Sequence, residues 1–173
     1  MQKISIFWFR RDLRLDDNKG LSEALKSDEK VIPIFIFDRD ILDLLEDKYD
    51  RRVDYIHQAL EKINQELKEF GSSLLTFNGK PLDVFKQLEK DFEIKSVFCN
   101  RDYEPAAIKR DDKVKDFLDS KKIDFFDFKD QVIFEKHEVA KDNGEPYTVY
   151  TPFSKKWKKQ LTELDYASVK IDK

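Results

Sequence analysis

Three short segments carry the residue types that could do chemistry. Trp8 to Asn18 reads WFRRDLRLDDN and sets Arg10, Arg11 and Arg14 among Asp12, Asp16 and Asp17. Guanidinium groups at that density could fix an anionic ligand. Equally, the two signs could pair with one another, closing the loop and docking another part of the protein; the near-balance of charge favours this second reading. Asn100 to Pro105 reads NRDYEP. Asp102 and Glu104 could accept hydrogen bonds from a bound heterocycle on which Tyr103 stacks, or they could stabilise the start of the helix that follows. Lys155-Lys156-Trp157-Lys158-Lys159 interleaves an aromatic ring with cations, as single-stranded nucleic acid or phosphate would require. The same residues also fit an amphipathic helix with Trp157 and Leu161 buried, and a net charge of −3 favours that reading.

Other chemistries are excluded by what is scarce. The four glycines, Gly20, Gly71, Gly79 and Gly144, are too far apart to write either glycine-rich phosphate-binding motif. One cysteine and two histidines cannot build a Cys/His zinc site or a disulfide framework. Cys99 ends an apolar run and reads as a core residue, and His57 falls beside Ile56 and Leu60 on what reads as the buried side of a helix. No Ser/His/Asp or Cys/His set is recognisable. The longest apolar run, Val31 to Phe37, is far below the ~20 residues of a membrane span. At the start of the chain the charges follow the apolar stretch, the wrong order for a signal peptide. A cytoplasmic domain with no membrane partner is expected.

The elements that must position these segments alternate. Apolar runs at Lys3–Phe9, Val31–Phe37, Leu74–Phe77, Ser96–Cys99 and Ile123–Phe128 predict five strands. Pro33 cannot donate within a ladder, so its position needs a bulge or an unpaired neighbour. Between the strands, helices are predicted from about Lys19 to Ser27 and from Val53 to Phe70, the second stopped by Gly71. A further helix opens at Pro81 with Leu82, Phe85, Leu88 and Phe92 on its buried face, and another runs from Pro105 to Ser120. Parallel strands need such crossovers, so the fold class is α/β, a doubly wound five-stranded parallel sheet in the order 3-2-1-4-5 with helices on both faces. Ligands of such folds sit beyond the carboxyl ends of the strands where the order reverses. Here that means the loops Arg10–Asn18, Asp38–Arg52 and Asn100–Glu104.

Four segments, in order, resemble the N-terminal α/β domain of the DNA photolyases and cryptochromes. They are Trp8 to Asn18; Phe35-Ile36-Phe37-Asp38; Asn100 to Pro105 with Arg110-Asp111; and Tyr147-Thr148-Val149-Tyr150-Thr151-Pro152-Phe153 followed by Trp157. The resemblance spans about Lys3 to Leu161. It implies the light-harvesting domain of a deoxyribodipyrimidine photolyase, the FAD-dependent enzyme that repairs pyrimidine dimers in DNA with light. In that family FAD, the DNA-binding surface and the electron-relay tryptophans belong to a C-terminal helical domain. The resemblance therefore implies that this chain alone is inactive in repair, with the FAD-binding domain of the same protein, and damaged DNA through it, as partners. Residues 1–129 are expected to form the antenna domain and 130–173 an irregular connector. Carried over from deazaflavin-type members, the chromophore site maps onto Arg11, Asp12, Ile36, Phe37, Asp38, Arg52, Asp102 and Glu104. An Asn-Glu pair that holds folate in other members is Ala106-Ala107 here, which favours a deazaflavin or flavin over folate. A cryptochrome-type photoreceptor domain and a stand-alone nucleotide- or flavin-binding module are the alternatives.

Overall fold

The computed structural model describes residues 3–27, 29–47 and 49–171. The strands are β1 (Lys3–Phe9), β2 (Lys30–Asp38), β3 (Leu75–Gly79), β4 (Glu93–Asn100) and β5 (Asp124–Phe128). Between them lie α1 (Lys19–Leu25), the single turn α2 (Arg39–Leu42), α3 (Arg51–Glu69), α4 (Pro81–Asp91) and α5 (Pro105–Ser120); α6 (Tyr150–Gln160) follows. All pairings are parallel and the order is β3-β2-β1-β4-β5, as the sequence predicts.

The central strands β1, β2 and β4 are largely apolar on both sides because each sheet face carries helices, whereas the edge strands β3 and β5 are partly exposed. Ile4, Ile6 and Trp8 of β1 pack with Phe85 and Leu88 of α4 and Val114 and Leu118 of α5. Phe7 and Phe9 point the other way, onto Leu21 and Ala24 of α1 and Leu60 and Ile63 of α3. Pro33 needs no bulge: β2 stays in register with β1, and the ladder to β3 begins only at Ile34.

Three expectations change. Val84, not Leu82, joins Phe85 and Leu88 on the buried face of α4. His57 is exposed and lies 3.5 Å from Glu61, because the apolar stripe of α3 buries only Leu60 and Ile63 fully. β4 starts three residues early, at Glu93, since Ile94 is a core residue between charged neighbours. Beyond residue 130 the regular elements of the described chain are α6, an amphipathic helix, and a 3-10 turn at Glu163–Asp165. Trp157 of α6 is half-buried with its ring edge-on to Phe134 at 5.6 Å, while Lys155, Lys158 and Lys159 face water.

Candidate functional site at the carboxyl end of the sheet

β1 and β4 are neighbours at the point where strand order reverses, and their ends deliver Arg10, Arg11 and Asp12 beside Asn100 and Asp102. A buried amide network fixes the floor. Asn18 caps α1 by accepting the Leu21 N–H at 3.1 Å and also accepts from the Asn100 amide at 2.8 Å. The Asn100 carbonyl oxygen accepts the Gly20 N–H at 2.7 Å. A Cβ on residue 20 would lie 2.7 Å from that same oxygen, so the close approach of α1 to β4 requires glycine. Asp12 accepts from the Arg10 N–H at 2.8 Å through one carboxylate oxygen and from the Asn100 amide through the other.

Above this floor the three arginines separate. Arg10 is nearly buried, pairs with Asp111, and sets its guanidinium carbon 5.2 Å from the Trp8 ring centroid. Arg110 lies 5.1 Å from the same ring and shares Asp111 at 2.9 Å. Arg14 reaches Asp130 at 2.8 Å. Only Arg11 is largely in water, bonded to Glu104 at 2.7 Å and 3.7 Å from the buried Asp102. Asp102 in turn is 3.8 Å from Arg110. All three arginines are thus paired with acids far along the chain and not with the aspartates of their own loop, and neither Asp102 nor Glu104 caps α5 through its side chain.

Of the residues that the resemblance implies, Arg11, Asp12, Asp102 and Glu104 come together here. Asp38 lies buried at the end of β2, capping α2 by accepting the Asp40 N–H at 3.0 Å. Burial raises its pKa, opposed by that hydrogen bond and by the field of Arg110. Ile36 belongs to the core on the Trp8 side, and Phe37 packs edge-on to Phe35 on the opposite face. Arg52 stands apart: it is exposed and clasps Asp50, whose carboxyl that guanidinium lowers to about 2. Sequence reasoning set Asn100 in a ligand-facing loop without a role of its own and left Arg110 and Asp111 out of the site. Their signal was the motif itself, with Arg110 and Asp111 placed by the first two turns of α5.

The crevice enclosed by Arg10, Asp12, Asn100 and Asp102 has a volume of about 10 Å³, room for one water. Arg10 Nε and Nη2 are buried and make no hydrogen bond, whereas Arg110 Nη2 is held by its ion pair with Asp111. The solvent-facing part of the cluster is the Arg11–Glu104 rim, with Arg10 and Asp102 buried beneath it.

The model of the family DNA photolyase matches residues 5–170, nearly all of the chain. The chain belongs to the DNA photolyase family. It is 35% identical over 155 residues to a deoxyribodipyrimidine photo-lyase of Synechococcus, covering 90% of this chain and 32% of that protein. A bacterial class III photolyase of Agrobacterium tumefaciens superposes with a TM-score of 0.77 at 27% identity, over 88% of this chain and 31% of that one. An archaeal photolyase of Sulfolobus tokodaii superposes with a TM-score of 0.71 at 32% identity, over 81% of this chain and 32% of that one; its structure is described as holding two FAD molecules and implying a novel light-harvesting cofactor. The chain spans about a third of the length of these relatives and matches their N-terminal α/β portion. Among the described residues, no helix is long and apolar enough to cross a membrane.

Proposed function

We propose that this chain is the light-harvesting portion of a deoxyribodipyrimidine photolyase and that a deazaflavin or flavin binds over the carboxyl end of its sheet. The observation that carries the reading is the cluster at the strand-order reversal, where the exposed Arg11–Glu104 pair stands over the buried Asp102. The residues fit a planar heterocycle with carbonyl and ring N–H groups. Arg11 would donate to a ring oxygen, Asp102 and Glu104 would accept from ring N–H or ribityl hydroxyl groups, and Asp12 with Asn100 would hold the loop beneath. When bound, such a group absorbs light and hands the excitation on. Ala106 and Ala107 offer no side-chain polar atom, which disfavours folate.

In this reading FAD, the lesion-binding surface and the repair reaction reside in the two-thirds of the relatives' length beyond the matched portion. Val149, Tyr150, Leu164 and Tyr166 leave large apolar surfaces in water between 60% and 87% exposed, and they suit a face covered by that remaining part. The direct test is titration of the chain with 8-hydroxy-5-deazaflavin, FMN and folate, read by chromophore fluorescence polarisation. Saturable deazaflavin or FMN binding that falls at least tenfold in Arg11→Ala and Asp102→Ala, with thermal midpoints retained, is the expected result. Binding unaffected by either substitution would remove the site from this surface.

A further inference from the structure

A second space lies on the α1–α3 side of the sheet, away from the charged end. It has a volume of about 190 Å³ and is walled by Leu21 and Leu25 of α1, Val31 and Pro33 of β2, Leu67 of α3, and Ile171. Its origin is local. Helix α1 has only seven residues and cannot cover the sheet as far as the end of α3, and Pro33 contributes a ring without an N–H. Ser72 is the only residue of the lining with a polar side chain. At the mouth Leu25 is 41% and Phe70 51% exposed, so two large apolar side chains meet water where the space opens.

One side of the cavity is the final stretch of the described chain. Val169 N–H donates to Asp17 Oδ1 at 2.7 Å, and Ser22 Oγ donates to the Lys170 carbonyl at 3.2 Å. These bonds carry Ile171 onto the core cluster that holds Leu21 and Leu60. Ile171 can therefore leave without breaking any strand pairing or helix.

We propose that this cavity is a binding site for a compact, uncharged apolar molecule of one or two rings, and that Ile171 is its movable wall. Size and lining chemistry select that class together. An apolar cavity of about 150 Å³ stays dry and accepts benzene, so the larger volume here has room for an indole-sized guest. A charged or strongly polar guest would lose its hydration and find little beyond Ser72 in exchange. Because the space opens at Leu25 and Phe70, its apolar walls face water, and a guest of matching shape would remove that surface from water and add dispersion contacts. No residue of the charged cluster lines the site, although Leu15 of its wall and the Asp17 tether belong to the same loop, Arg10–Asn18.

Indole is the probe, added to the chain with labelled methyl groups and followed by NMR. Methyl signals of Leu21, Leu25, Val31, Leu67 and Ile171 should shift saturably, while those of Val84, Leu88 and Val114 on the opposite face stay in place. Leu25→Trp, which can swing its ring into the space from the mouth, should abolish the shifts of the other lining methyls. Ile171→Ser should change the apparent affinity severalfold by freeing the wall. Absence of a saturable shift up to the solubility limit of indole overturns the proposal, as does an equal response in Leu25→Trp. Lining signals that move on dilution without indole would show a second copy of the chain on this face, which also overturns it.

Discussion

Asp12 is a buried carboxylate whose two oxygens are served by the Arg10 N–H and the Asn100 amide, and Asn100 meanwhile accepts from Gly20. Removing that amide leaves Asp12 short of a donor and a buried backbone N–H unmet. Asn100→Ala should cost about 1–3 kcal/mol, seen as a lower urea midpoint at unchanged slope. A loss below about 0.5 kcal/mol would mean that something else holds the loop. Asp38 makes the opposite kind of prediction. Its folded pKa is raised by burial, so ionising it opposes folding; the penalty is absent below the ordinary carboxylate value and grows as pH rises through the folded pKa. Asp38→Asn keeps a helix-capping side chain. It should raise the thermal midpoint at pH 7 and lose that advantage below about pH 4. A midpoint difference that does not vary with pH would contradict this. What the sequence could not show at this scale is which arginine does what. Arg10, Arg11 and Arg14 are alike in type, and their roles are assigned by Asp111, Glu104 and Asp130, each about a hundred residues away.

Among elements, the alternation of strands and helices was legible because periodicity is local, and parallel pairing followed from the crossovers, while the order 3-2-1-4-5 rests on the habit of doubly wound folds and not on these strands. The misses were also local. Helix α2 is one turn nucleated by the Asp38 cap, too short to show a period, and His57 sits one step off a stripe narrower than the apolar residues of α3 suggest. Less visible still was the way residues 129–138 are tied to the sheet. Arg101 bonds Asp127 of β5 through its side chain and backbone carbonyl, and Glu135 through its other nitrogen. Lys129 bonds Glu138 at 2.9 Å. For Asp127 and Glu135 burial raises the pKa, the Arg101 bonds lower it, and the balance is downward. Their folded pKa values being depressed, the stabilisation they give is present above the ordinary carboxylate value and lost as pH falls through the folded one. The protection factors of the Glu135 and Glu138 amides, both hydrogen-bonded within this segment, should therefore fall in acid, from about pH 4 downward. Arg101→Ala should produce the same loss of protection at neutral pH while β1 and β4 remain protected. Uniform loss of protection across the sheet would show that Arg101 supports the whole fold.

At the scale of the molecule, the chain accounts for a third of the length of its relatives, and its exposed apolar residues are not spread evenly. Val149, Tyr150, Leu164 and Tyr166 fall in one stretch around α6, and Ile41, Leu44, Tyr49 and Tyr55 fall in another around α2 and the start of α3. Water-facing residues of this kind contribute little to the stability of the part that bears them. Tyr150→Ser with Leu164→Ser should change the unfolding free energy of the chain by less than about 0.5 kcal/mol each. Were the proposed reading right, the gene product in its source cells would have an intact mass well above 20.7 kDa. In that longer protein the same two residues would be covered, and hydroxyl-radical labelling of Tyr150 and Leu164 should fall severalfold relative to the 173-residue chain while labelling of Tyr55, exposed on α3, stays the same. Equal labelling in the two proteins would place the interface elsewhere. A native mass equal to that of these residues would separate the chromophore surface from repair and leave a free-standing binding module, whose ligand the titration of Arg11 and Asp102 variants would still identify.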